Sequence, residues 1–599
     1  MKKTFFLLHL LLSIHLISAQ SAVYFSKDNG AWGAAWSRSS ESEAKDAAYQ
    51  QCINYGGLNP VLLISTEKQG FGAIAIGTQS DGSRVIGVLV AASDSNTAKE
   101  EALKQCQSLG SNCEIVKTWN DFNYENSYFD AGYNNLSVQD YEDAVINFSN
   151  VISLNPNNTE AYHNRALAKY NLMDYNGSIA DYTKAIELKP KEPDAYSGRG
   201  EAKDRSGDYY GAIADYSRAI ELNPNNAATF LNRGFTKYHL KDYNSGIQDY
   251  NKAIELNPSY SIAYNFRGLA KDKQTDFYGA IADHTRAIEL NGTYADAYYN
   301  RALSKYHLKD YKEAILDFNK VIELTPKDPD AYLNRGNAKY DLGDMQSALA
   351  DYNITIELDP NNSVGYYNRG LVNYYQKSYR ESIADNTKAI ELNPNYISAY
   401  NYRGLSKDKL EDYYDAIADF SRAIELNPNY YYSYNNRGLS KYHLKDCKEA
   451  IKDYTKAIEL KPDYSTAYFN RSICYGQFEK YKEAIKDLTK VLEINPNNAA
   501  AYNNLGYYYL SIKNYTSATS NFEKCLELDA EHWDSMLGLA LLYFERKDPG
   551  NSLKYLNLAY NKEARLREGI IGINKLEKEG WFYSQKEKDL FSKMIQQLK

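Results

Sequence analysis

Arginine and aspartate recur in this chain at a fixed distance. Arg165, Arg199, Arg233, Arg267, Arg301, Arg335, Arg369, Arg403, Arg437 and Arg471 follow one another every 34 residues, and an aspartate stands 16 residues after each, from Asp181 to Asp487. The flanking copies of the same period carry neither charge, with Ala131 and Asn147 at the start and Leu505 and Asn521 at the end. A guanidinium is a planar fork matched to a carboxylate, and its stem can still cover apolar surface. The spacing therefore predicts a bridge between two helices. Arg301–Asp317 and Arg437–Asp453 represent these structural ion pairs, which fix register and should be costly to break on one side.

There is no phosphate-binding glycine loop, no HExxH, no GxSxG and no dinucleotide fingerprint after a strand. Nearly all carboxylates fall at periodic, solvated positions, which argues against a two-carboxylate glycosidase site. His284 takes an aromatic position and reads as a hydrogen-bonded core histidine. No paired CxxC or Cys/His spacing occurs, so neither a metal nor any other cofactor is expected. The chain is expected to be non-enzymatic.

The balance of 69 Lys+Arg against 77 Asp+Glu, net −8, disfavours nucleic acid as a partner, which needs a clustered positive field. The opening MKKTFFLLHLLLSIHLISAQ has a basic start, an apolar run and a cut after Ala19, the pattern of a bacterial-type secretory signal peptide over residues 1–19. The mature chain has no stretch long and apolar enough to span a bilayer. The protein is expected to be exported, either periplasmic or secreted. In an oxidising compartment Cys106 and Cys113, in CQSLGSNC, are expected to form a disulfide, while Cys52 has no evident mate. Cys447, Cys474 and Cys525 stand where the period usually places Tyr or Ala, and read as buried, inert thiols.

The period itself is marked by prolines. Pro156, Pro190, Pro224, Pro258, Pro326, Pro360, Pro394, Pro428, Pro462 and Pro496 are spaced by 34, with one gap of 68 where Gly292 fills the slot. Counting back gives twelve repeats over residues 125–532. Small residues recur at position 8 (Gly200, Gly234, Gly438) and position 20 (Ala212, Ala280, Ala450), where two helices must approach closely. Aromatic residues recur at position 4 (Tyr162, Tyr196) and position 24 (Tyr182, Phe318, Phe420), and the proline stops the second helix. A longer unit of 68 residues is also visible. Asp204–Arg205, Asp272–Lys273 and Asp408–Lys409 sit at positions 12 and 13 of one repeat, and Tyr238–His239, Tyr306–His307 and Tyr442–His443 in the next.

This pattern resembles the tetratricopeptide repeat family, with Tyr usually replacing its Trp, Arg its Leu at position 7, and Lys often its Tyr at position 11. The resemblance implies a mainly α chain, a right-handed helix-turn-helix solenoid of about twelve to thirteen repeats, preceded here by a small α/β domain. It also implies that positions 2, 5, 9, 12 and 13 line the concave face. Tyr170, Tyr238, His239, Asn265, Tyr306, His307, Tyr340, Tyr374, Asn401, Asn435, Tyr442 and His443 are then the residues expected to bind a partner. That partner is an unidentified protein or peptide. The alternative is a glycan or cell-wall ligand, because aromatic faces and amides suit sugar rings.

The ends differ from the array. Residues 20–120 have no 34-residue period and are duplicated with an offset of 54, aligning Cys52 with Cys106. Each half reads as a hairpin, a helix and a strand, and the segment resembles a small exported α/β domain family of unknown function. Residues 533–599 continue the period weakly and then read as two capping helices, the last opening on a Ser584/Glu587 capping box.

Overall fold

The computed structural model describes residues 20–25, 32–38, 46, 50, 61–66, 71–78, 84–92, 95–109, 111–120, 124–578 and 585–598. Residues 1–19, where a signal segment is expected, Cys52 and Ser584 lie outside the described residues. The chain divides into two compact units, Met1–Thr275 and Asp276–Lys599.

The first unit begins with β1 (Gln20–Phe25), β2 (Trp32–Arg38), β3 (Val61–Thr66), β4 (Phe71–Thr78), β5 (Arg84–Ala92), a helix (Ser95–Leu109) and β6 (Ser111–Asn120). Two antiparallel three-stranded sheets have the orders β2-β1-β3 and β5-β4-β6. In each sheet the central strand pairs both with the strand that follows it and with the one that closes the half. The Cys106 and Cys113 sulfurs stand 2.10 Å apart, tying the helix to β6.

Helical hairpins follow. The first unit holds four complete hairpins, from Tyr124–Ser137 with Tyr141–Leu154 to Ala227–His239 with Tyr243–Leu256, and then the helix Ser261–Lys273. The second unit opens with the helix Phe277–Leu290 and continues through eight hairpins to Pro549–Lys562.

One residue both closes the first helix and opens the second. In the hairpin of Tyr431–His443 and Cys447–Leu460, the Asp446 N–H donates to the Lys441 carbonyl and the Lys445 N–H to the Tyr442 carbonyl, each at 2.9 Å. That is the paired closure of a helix end by a left-handed residue, here Lys445 at φ 63°. The Asp446 side chain then accepts the Glu449 N–H at 3.1 Å and caps the second helix. Only Gly207 and Gly343 supply glycine at this left-handed position; the other hairpins use Met173, Lys241, Lys309, Glu411 and similar residues at unfavourable φ. Nothing lies within 4 Å of a side chain added at Gly207. Gly207→Ala is therefore expected to cost about 1 kcal/mol through the backbone alone, and Lys445→Gly to gain a similar amount. Denaturant midpoints check both.

Packing within a hairpin follows the small–aromatic rule read from the sequence. Ala450 is fully buried, Tyr454 is buried, and a methyl group added at Gly438 would meet the Tyr454 ring at 2.7 Å. At the carboxy end the charged positions give way to apolar ones, with Leu505 and Leu539 both buried. The helix Gln585–Leu598 folds back so that Phe591 and Met594 enter the core formed by Leu537, Leu541, Leu556 and Leu566. The last apolar face is thereby covered.

Candidate functional site

The periodic arginines are structural hubs. Arg301 Nε and Nη2 donate to the two Asp317 oxygens at 2.9 and 2.6 Å, and Arg437 makes the same fork to Asp453 at 3.0 and 2.7 Å. The third nitrogen reaches the second helix of the preceding hairpin: Arg301 Nη1 donates to Thr285 Oγ1 at 3.1 Å, and Arg437 Nη1 to Ser421 Oγ at 3.0 Å. Each guanidinium also lies over the aromatic ring at position 4, 5.5 Å from Tyr298 and 5.6 Å from Tyr434. A lysine at position 11 joins the same carboxylate, Lys305 with Asp317 at 2.8 Å and Lys441 with Asp453 at 2.7 Å. The arginine thus binds its own hairpin together and locks it to the one before. With the fork, the third nitrogen and the ring face all engaged, it offers little to a ligand.

The position-4 aromatics serve as platforms for those arginines. The 68-residue unit also has a physical basis. Asp204 accepts from Thr236 Oγ1 of the next repeat at 2.6 Å, and Asp408 from Ser440 Oγ at 2.5 Å. In the following repeat the exposed histidine stacks back onto its predecessor: His239 on Tyr209, His307 on Phe277 and His443 on Tyr413, with centroids 5.6, 5.1 and 5.0 Å apart. Tyr238 and Tyr306 are half-buried, the first edge-on to Tyr243 and the second tilted against Tyr311, both at 5.4 Å. Tyr442 is half-buried against its own His443. Although the residue is exposed at its edge, desolvation of the stacked ring lowers the pKa of His443.

The expected asparagines are a correction. Asn265, Asn401 and Asn435 are buried, because position 5 packs between the first helices of adjacent repeats. The Asn401 oxygen accepts from Ser433 Oγ and from Asn436 Nδ2, both at 3.1 Å, and the Asn435 oxygen accepts from Asn470 Nδ2 at 3.1 Å. They join repeats and present nothing to a partner. Sequence reasoning passed over position 6, one residue further along, where Asn334, Asn368, Asn436 and Asn470 are half-buried. Each makes an amide contact to the preceding repeat, such as Asn334 Nδ2 to Tyr299 Oη and Asn368 Nδ2 to the Asn337 oxygen, both at 2.8 Å. Their recurrence every 34 residues was a readable signal.

Tyrosines concentrate beside these amides in the second unit. Tyr374 lies 5.4 Å from Tyr375 and 5.5 Å from Tyr402, Tyr340 lies 6.4 Å from Tyr375, and Tyr367 lies 6.0 Å from Tyr402. Tyr375 is 49% exposed and its hydroxyl is 3.4 Å from that of Tyr402. In the first unit Tyr170 bonds Glu201 at 3.0 Å and accepts from Arg205 Nε at 3.2 Å; in the second, Tyr306 donates to Asp341. In the second unit these rings and amides form a stripe along the first helices.

Burial pushes the phenols of Tyr170, Tyr340 and Tyr396 up to about 12. An unfolded phenol ionises near ~10. The neutral form is therefore favoured by folding, and the stabilisation is complete below that value and lost as pH rises towards 12. Native protein at pH ~11 is expected to show less phenolate absorbance than the denatured chain. Equal absorbance would contradict the burial.

Among the described residues no group of three or more His, Cys, Asp or Glu is placed to hold a metal ion. Among the described residues no helix is long and apolar enough to cross a membrane. His284 is fully buried.

Stacked helical hairpins with this small–aromatic–proline signature define a helical repeat array. Tetratricopeptide repeat models match residues 159–192, 205–260 and 303–519 in successive segments. The model of a domain of unknown function (DUF4189) matches residues 21–120. The chain belongs to the tetratricopeptide repeat family, with a DUF4189 domain at its amino end. Its fold is typical of protein–protein interaction scaffolds. No curated protein matches the chain. Similar solved structures include the Cut9–Hcn1 hetero-tetramer of the APC/C, at 15% identity and TM-score 0.39 over 79% of this chain and 96% of that one. Yeast Tom70 matches at 20% identity and TM-score 0.33, over 76% and 99%. YrrB, described as a TPR protein with an unusual peptide-binding site, matches at 27% identity and TM-score 0.27, over 31% and 95%.

Proposed function

We propose that this chain is an exported, non-enzymatic scaffold that holds an extended peptide or protein segment along the face built by the first helices. The supporting observation is the stripe of position-6 amides flanked by Tyr340, Tyr374, Tyr375 and Tyr402. A side-chain amide offers the same donor and acceptor as a peptide bond, and tyrosine gives large contact area with few torsions to freeze. The periodic charges are already paired within the array, so they position this stripe and leave recognition to it. Export is supported by the Lys2–Lys3 and apolar opening of the chain and by the adjacent Cys106 and Cys113 sulfurs.

The test is capture from the exported fraction with the mature chain as bait, run beside a glycan array. A protein retained, and displaced by a peptide derived from it, supports the reading. Binding to glycans with no protein retained overturns it in favour of a sugar ligand.

A further inference from the structure

The proline period has one gap, and the residue that fills it changes the chemistry open to the asparagine before it. The turns between hairpins carry Asn155–Pro156, Asn257–Pro258, Asn393–Pro394 and Asn427–Pro428, but Asn291 is followed by Gly292. Asn257 and Asn291 are otherwise matched. Their φ and ψ are −136° and 89°, and −142° and 92°. Each side-chain oxygen accepts a backbone N–H and a hydroxyl from one residue, Ser259 at 3.1 and 2.7 Å and Thr293 at 3.1 and 2.9 Å. Each main-chain carbonyl accepts a tyrosine N–H, from Tyr260 at 3.0 Å and from Tyr294 at 3.1 Å. What differs is the next nitrogen. Pro258 has no N–H and holds Asn257 extended. Gly292 keeps its N–H, which donates to no acceptor among the described residues, and it lies in an exposed turn with nothing within 4 Å of an added side-chain carbon.

We propose that Asn291–Gly292 is a covalent modification site at which the chain converts its own asparagine to aspartate or isoaspartate. The Gly292 nitrogen attacks Asn291 Cγ, and the amide nitrogen leaves as ammonia, carrying the proton that Gly292 loses. The product is a cyclic succinimide. Water then opens the ring: attack at Cγ leaves aspartate, and attack at the main-chain carbonyl leaves isoaspartate. Ammonia is lost, water is gained, and no oxidant or reductant is needed. The two donors on Asn291 Oδ1 draw charge from Cγ, as donors aimed at a developing oxyanion do. Ring closure requires rotation about the Asn291 ψ, which a following glycine permits and a following proline resists. Asn176–Gly177 has the same two residues but lies in the first turn of the helix Tyr175–Leu188, with the Gly177 N–H donated to Asp174 Oδ1 at 2.9 Å. Asn29–Gly30 lies outside the described residues. Isoaspartate routes the main chain through Cβ and Cγ, which lengthens the turn between the helices Phe277–Leu290 and Ala295–His307. The carbonyl that accepts the Tyr294 N–H then becomes a free carboxylate. The inference concerns the array itself and does not depend on partner binding.

The test incubates the purified full chain, folded, in warm and mildly alkaline buffer beside a synthetic peptide of residues 287–301. Tryptic peptides are then followed by mass spectrometry, with fragmentation that separates aspartate from isoaspartate. The expected result is amide-to-acid conversion at Asn291, in both forms, with Asn257 and Asn176 left as amides. Gly292→Pro should abolish it. Asn291 intact in the folded chain after the synthetic peptide has converted would overturn the proposal. So would equal conversion at Asn176, or conversion unchanged by Gly292→Pro.

Discussion

Asp453→Ala is expected to destabilise the carboxy-terminal unit by about 3–5 kcal/mol, the range for removing one member of a buried charge pair. The carboxylate is only 4% exposed and accepts from Arg437 twice and from Lys441 once. Its loss strands two cations, one of which is also pinned to Ser421 and to the Tyr434 ring. Arg437→Ala should cost less, because Lys441 remains to pair the carboxylate and is itself near solvent. The double variant decides whether the two form one device. A coupling of about 0.5–3 kcal/mol is expected for residues in direct contact. A coupling near zero would mean that the periodic charges only record how the repeats were copied.

The second large effect concerns a ring held between two glycines. Phe522 is fully buried, and side-chain carbons added at Gly506 and at Gly538 would both collide with it, the first at 2.5 Å. These glycines come from successive hairpins, so one ring spaces the two. Alanine would ordinarily improve a helix by roughly 0.5–1 kcal/mol. Here Gly538→Ala is expected to destabilise instead, by about 1–3 kcal/mol, because an overpacked core must shift. Gly292→Ala, with nothing within 4 Å of the added carbon, is the control and should change stability by less than about 0.5 kcal/mol. Thermal unfolding of the three chains compares them. A stabilised Gly538→Ala would show that the ring can move aside.

Both devices differ in how far the sequence disclosed them. The hairpin period, its proline stops and the Arg–Asp bridge were legible because identical residues recur at fixed spacing within one chain. Lys305 and Lys441 were readable too, but as substitutions for a family tyrosine rather than as a third charge on the same aspartate. The Ser, Thr or Asn at position 25, such as Ser421 and Thr285, recurred as faithfully and went unread, since its arginine belongs to the next repeat. The error at Asn265, Asn401 and Asn435 has a geometric cause. Position 5 points into the seam between neighbouring first helices, and a one-residue step along a helix turns the side chain by ~100°. Position 6 therefore carries the accessible amides.

Two sets of tyrosines could meet a partner, and they distinguish the account from its rivals. One is the first-helix set around Tyr374 and Tyr402. The other is Tyr278 and Tyr414 on second helices, 77% and 76% exposed. The most direct measurement is partner capture by two double variants of the full chain, Tyr374→Ala with Tyr402→Ala and Tyr278→Ala with Tyr414→Ala, at matched helical content. Rigid, half-buried tyrosines are the type that concentrates binding energy, each worth about 2 kcal/mol or more when truncated. The account predicts loss of capture in the first variant and unchanged capture in the second. Capture kept by the first and lost by the second would contradict it and place the partner on the opposite helices.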